Sequence, residues 1–345
     1  MSTNKRYEVV KHSRMLFTTA CLSMVIFMQG CGSTQDEELA AVENTPPSRQ
    51  DLYDGNTAVS VAAANPPKDE ADALARASHE EKSGNLDQAL YLYVQALDFN
   101  DQNAETLYNI ARIHSIKGNI QLAYLTYNEA LVVDPNMLMS HAGLGLINMD
   151  KRQHTQARIH LMKAVELDQK RLEVDGNSMM SNGFYPLDKE SPVRIYNAIA
   201  ILEDMDNNHQ IARDYYQLAL QREPRSALIT TNLGYSYYLT GNFTLAEKYL
   251  KKAVKEDPNF DRGWTNLGLV YVRKGLYGRA LTTFEHTMEP ADALNDLGYF
   301  LMLEGQYQQA IDLFQRAIDS SPSYFEQAQK NLKRASMELR SQQRR

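Results

Sequence analysis

Residues 227–260 read ALITTNLGYSYYLTGNFTLAEKYLKKAVKEDPNF. Thr230, Leu233, Gly234 and Tyr237 fall at i, i+3, i+4 and i+7, the spacing of one packed helix face. Gly241-Asn242 interrupts that pattern, because Gly and Asn readily enter the left-handed conformation that ends helices. Ala246, Leu250 and Ala253 then mark the buried side of a second helix, and Asp257-Pro258 closes it. The stretch predicts a helix, a tight turn and a second helix.

The same marks stand one period upstream as Ile199, Ala200, Glu203, Ala212, Tyr216, Ala219 and Pro224. They recur in 104–137 as Ile110, Ala111, Gly118, Ala123, Tyr127, Ala130 and Pro135. Spacing and residue types resemble the tetratricopeptide (TPR) repeat, a helix–turn–helix of about 34 residues. The expected fold class is therefore all-α, a TPR solenoid of seven units at 70–103, 104–137, 138–171, 193–226, 227–260, 261–290 and 291–324. One repeat position holds only small residues: Ala77, Ala111, Gly145, Ala200, Gly234, Gly268 and Gly298. A larger side chain there would strain a close helix crossing by roughly 1–3 kcal/mol. Tyr93, Tyr127, Tyr216 and Phe284 are expected to fill space between neighbouring repeats. An insertion at 172–192 separates units 68–171 from 193–324, and reads as a hinge, a spacer or a second contact surface. The sixth unit is short, and 325–345 reads as a capping helix with a basic tail, six Lys/Arg against two Glu.

The first 30 residues read as an export signal: Lys5, Arg6, Lys11 and Arg14 precede the uncharged Met15–Met28. That run is shorter than the ~20 residues of a membrane span. Met28-Gln29-Gly30-Cys31 resembles the bacterial lipoprotein signal, with Met28 and Gln29 departing from the usual residues. The resemblance implies a lipidated Cys31. Gly32, in place of Asp after it, implies sorting to the outer membrane on its periplasmic face. Both cysteines lie within residues 1–31, so the rest of the chain has no thiol. Residues 31–67, rich in Ser, Thr, Gln, Asp, Glu and Pro, read as a disordered tether.

The chain carries net −7, and removal of residues 1–30 would leave 32 basic and 42 acidic residues, net −10. That balance argues against nucleic acid, which needs a positive surface. No catalytic constellation stands out. His79-Glu80 lacks the second His of a zinc-protease helix, because Ser83 occupies its place. Gly234–Tyr238 lacks the closing Gly of a nucleophile elbow. Gly143 and Gly145 lack a third Gly, and His154 and His160 fall on opposite sides of a helix. No enzyme activity, cofactor or metal is expected.

A solenoid offers an elongated concave surface in place of a cleft. In TPR folds the first helix of each unit lines that surface. Carried onto this chain, the geometry puts Asn109, Arg112, Arg194, Asn197, Asn232, Tyr235, Tyr238, Arg262, Asn266, Asn295 and Tyr299 on a partner-binding groove. Amides can bond a peptide backbone in both directions, and Tyr adds apolar area with a polar tip. The carboxylate clamp of some TPR proteins is not reproduced, since Ile201, Asp292 and Asp296 replace its polar or cationic residues.

Residues 193–324 resemble the TPR lipoproteins of the tight-adherence (Flp) pilus system, the TadD family. The likeness rests on Arg194–Asn197, Asn232–Tyr237, the Thr240-Gly241 turn, the short sixth unit and Leu294–Tyr299. It implies assembly or localisation of outer-membrane pilus or secretion parts, with the secretin as a protein partner. A pilotin-like type IV pilus factor and an adaptor docking peptidoglycan hydrolases remain alternatives.

Overall fold

The structure is a computed structural model and describes Leu52 and residues 66–344. Fifteen α-helices and no strands occur among the described residues. They pair as α1 (Glu70–Lys82) with α2 (Leu86–Phe99), α3 (Ala104–Ile116) with α4 (Ile120–Val133), and α5 (Leu138–Asp150) with α6 (His154–Val174). After the insertion come α7 (Val193–Met205) with α8 (His209–Arg222), α9 (Ala227–Leu239) with α10 (Phe243–Glu256), and α11 (Asp261–Arg273) with α12 (Tyr277–Phe284). The array ends with α13 (Pro290–Leu303), α14 (Tyr307–Ser320) and the cap α15 (Glu326–Gln343). None of these helices is long and apolar enough to cross a membrane.

Each turn between paired helices is made by one residue at positive φ. Gly84, Gly118, Gly241, Gly275 and Gly305 take that role, joined by Arg152 (φ 58°) and Asn207 (φ 62°). At Gly241 the chain reverses so that Asn242 N–H reaches the Tyr237 carbonyl and Gly241 N–H reaches Tyr238. Orphan carbonyls at the helix end are thereby satisfied. Units are separated by a different stop. Asp257 ends α10, its carboxylate accepts from Asn259 N–H at 3.0 Å, and Pro258 cannot extend the helix.

The small-residue position is a packing necessity. A Cβ on Gly234 would stand 2.8 Å from Leu250, and on Gly298 2.9 Å from Phe314. On Gly268 it would stand 2.2 Å from Phe284, inside any real carbon contact. The aromatics are buried as the pattern requires, with Tyr93, Tyr127, Tyr216 and Phe284 each at most 5 % exposed. Tyr127 does bridge units, lying over Gly143 of the next one, and Phe284 fills the gap beside Gly268 of its own while stacking on Phe300 of the next, 6.0 Å between ring centroids.

Three departures shape the array. The third unit's second helix, α6, runs 21 residues and continues to Val174. The chain beyond it folds back along that helix: Tyr185 N–H donates to Gln169 Oε1 at 2.7 Å, and Gln169 Nε2 returns a bond to the Tyr185 carbonyl. Arg171 clamps Asp188 with both terminal nitrogens at 2.7 and 2.8 Å, and also holds Asp168. The sixth unit's deletion falls in its second helix, α12, which has 8 residues where its neighbours have 14. The cap α15 buries Ala328, Asn331 and Ala335 and packs on α14 and α13.

Leu52 is wholly buried in the apolar cluster of the first two units, with Leu90, Leu97, Leu107 and Ile110. His114 Nε2 lies 2.9 Å from the Leu52 carbonyl and is therefore the donor. The rest of 1–65, with Cys31 and the expected signal and tether, lies outside the described residues.

Candidate functional site

The inner side of the array can be read from which helices touch. Consecutive first helices meet along the whole row from α3 to α15, whereas no two consecutive second helices meet appreciably among the described residues. The first helices therefore form the concave row, the surface on which the sequence-predicted residues were placed.

Much of that polar set turns out to join the helices to one another. Asn232 of α9 donates to Asn197 Oδ1 of α7 at 2.8 Å and accepts a short bond from Arg262 of α11. Ser236 of α9 adds a bond to Asp204 of α7 at 2.8 Å. Further along, Asn331 of the cap donates to Asn295 of α13 at 2.9 Å. Asn197, Asn232 and Asn295 are at most 9 % exposed, so their amides are occupied by neighbouring repeats. Arg112 is likewise paired: its guanidinium meets Glu81 of α1 at 2.6 Å and Asn109 at 3.3 Å. Burial works against the Arg112 charge, but the Glu81 bond more than offsets it and raises its pKa.

The remaining residues are open to a ligand to different degrees. Arg194 is exposed, and Asn266, half-buried, has no hydrogen-bond partner among the described residues. Tyr235 and Tyr238 stack at 5.6 Å between ring centroids, and the Arg273 guanidinium lies 5.9 Å from the Tyr238 ring. Tyr299 sits edge-on to Phe300 at 6.1 Å. Burial raises the carboxyl pKa of Asp296 on the same row, opposed by a bond from Asn295 and reinforced by Asp292. The groove thus ends on an acidic note at the seventh unit.

The insertion builds a wall that the sequence pattern did not reveal. It brings Lys189, Ser191 and Pro192 beside Tyr108, Arg112 and Arg194, enclosing a hollow of about 450 Å³ over α5. A second hollow of about 410 Å³ lies between α6 and the returning loop, lined by Met162, Val165, Phe184 and Tyr215.

His160 has a partner that one-helix spacing could not show. His141 Nδ1 and His160 Nδ1 are 3.0 Å apart, and His141 Nε2 lies 3.1 Å from the Pro135 carbonyl. A carbonyl only accepts, so His141 carries its proton on Nε2 and accepts from His160 at Nδ1. No group of three or more metal-ligating side chains occurs among the described residues.

Tetratricopeptide repeat profiles match residues 104–137, 140–171, 198–259, 240–287 and 291–324. The chain belongs to the tetratricopeptide repeat family, and its repeats form a protein-interaction scaffold. Similar solved structures include PilW, titled a widely conserved type IV pilus biogenesis factor, at 20 % identity over 66 % of this chain and 98 % of that one, TM-score 0.48. PilF of Pseudomonas aeruginosa is 16 % identical over 67 % and 96 %, TM-score 0.44. YrrB, titled a TPR protein with an unusual peptide-binding site, is 17 % identical over 62 % and 97 %, TM-score 0.45. No curated protein matches the chain. The assignment rests on the repeat profiles and the packing they dictate.

Proposed function

We propose that this TPR array is an outer-membrane scaffold, held at the periplasmic face by a lipid on Cys31, that gathers protein components of a tight-adherence pilus or secretion machine. The single observation that carries the scaffold reading is the continuous inner row of first helices, with Arg194, Asn266 and the Tyr235–Tyr238 stack open along it. The pilus reading is supported by the sequence marks of 193–324, and the lipid by Met28–Cys31. The secretin is the first partner to test.

Affinity capture from cross-linked envelopes, read by mass spectrometry, tests the proposal. Recovery of secretin or pilus parts is the expected outcome; recovery of peptidoglycan hydrolases alone would replace it with the adaptor alternative. The surface variant for the same experiment is Asn266→Asp, because Asn266 has no hydrogen-bond partner among the described residues. Asn232 is unsuitable, since it holds α7 and α11 together.

A further inference from the structure

The chain is acidic overall, yet one stretch of the inner row has the opposite sign. The 450 Å³ hollow opens over α5, between α3 and the start of α7, with the insertion and the end of α8 as its far wall. Its rim carries Arg112, Lys189, Arg194 and Arg222 against Glu223. Arg112 is answered by Glu81, and Arg222 Nε donates to the Asp188 carbonyl, which leaves its charge unmatched by a carboxylate. Among the described residues Lys189 has a single loose ion pair, to Glu190 at 3.9 Å, and its side chain is 82 % exposed. Arg194 forms no ion pair or hydrogen bond among the described residues.

The floor is apolar for a reason written in the third unit. Where the second, fifth and sixth units place Asn109, Asn232 and Asn266, the third has Gly143. The Tyr127 ring occupies the space a Cβ would need, 2.5 Å from its position. Met139, Ala142 and Leu146 complete a trough with no polar side chain of α5 in it.

We propose that this hollow docks an acidic segment of a partner protein, one apolar or aromatic side chain entering the Tyr127–Gly143 trough while flanking carboxylates face Arg194 and Lys189. The inference rests on reading the inner row as the partner-binding face, and adds where the partner sits and what chemistry it presents. Apolar seating supplies burial, and the cationic rim selects sign and speeds encounter.

Fluorescence anisotropy on the full chain tests it with two amidated, labelled peptides, Glu-Glu-Phe-Glu-Glu and Lys-Lys-Phe-Lys-Lys. The acidic peptide binds, the basic one does not, and binding weakens as salt rises. Lys189→Glu with Arg194→Glu weakens it by about tenfold or more, the scale of one to two opposed charge contacts. Lys252→Glu on the second-helix side leaves it unchanged, and circular dichroism confirms unaltered helix content in each variant. Equal binding of both peptides, or undiminished binding by the double variant, overturns the inference. Envelope capture with the same double variant separates the two readings: pilus parts still recovered at full yield overturn the acidic dock and leave the scaffold proposal standing. Wall hydrolases alone recovered by the wild-type chain overturn that proposal, while the peptides still decide this one.

Discussion

At the scale of single residues, two glycines of one repeat have opposite meanings. Gly268 faces Phe284 with no room for a methyl, whereas Gly278 in α12 has nothing within 4 Å of its would-be Cβ. Gly268→Ala should destabilise the array by roughly 1–3 kcal/mol, from forced displacement of a buried ring. Gly278→Ala should stabilise it by about 0.5–1 kcal/mol, because Ala loses less freedom in a helix. Urea denaturation of both variants checks the pair; equal effects would refute the packing account. The histidine pair gives a second prediction. An unfolded His binds its proton near pH ~6.5. In the folded chain burial, then His141, hold His160 neutral until about 4. Between those values the unfolded state binds more protons, so stability falls as pH drops through that window. The thermal midpoint should slope across it, and His160→Gln should flatten the slope. These residues also mark a limit of legibility. The small-residue position was readable because it recurs in every unit, but His141 and His160 meet once, across two helices, with no periodic signal.

At the scale of elements, the insertion is where sequence reading stopped short. Its Met, Gly and Asn content suggests a hinge or spacer, and nothing in composition reveals that Arg171 will clamp Asp188, 17 positions along the chain. The clamp holds the Asp188 carboxyl well below the usual carboxylate range, Arg171 being the main cause. Asp188→Asn should free the loop, seen as faster proteolysis within 175–192 at unchanged helicity. Arg171→Met should do more, because it also strips an ion pair from Asp168, which is wholly buried. We expect about 2 kcal/mol, less than the roughly 3–5 of a fully buried pair because Arg171 is partly open and Tyr196 still donates to Asp168. A midpoint equal to that of Asp188→Asn would contradict this. The helix pairs were legible from the repeat spacing, since Gly turns and Asp-Pro stops are local signals, but not that α6 runs on to Val174. The asparagine ladder was legible only in part. Its residues were found, but their bonds to each other span 35 and 36 positions and depend on how one repeat is rotated on the next.

At the scale of the whole molecule, the proposed lipid anchor makes its own prediction. Cys31→Ser should abolish labelling by palmitate, with the protein still exported; undiminished labelling would remove the anchor from the proposal. The described array is quasi-one-dimensional, so its stability is set by each repeat and its nearest neighbours. The stitching between those neighbours is uneven. Polar bonds tie α7, α9 and α11 into one block, α1 to α3 into another, and α13 to α15 into a third. Among the described residues no side-chain hydrogen bond spans α3 and α5, or α5 and α7. The third unit is held to the fourth from its other helix instead: Arg158 of α6 bonds Glu203, the Leu202 carbonyl and Asp206 at the end of α7, and Tyr196 of α7 donates to Asp168 of α6. Bending the array at that junction would have to break those bonds, so the longer connection between the third and fourth units has not made a looser joint.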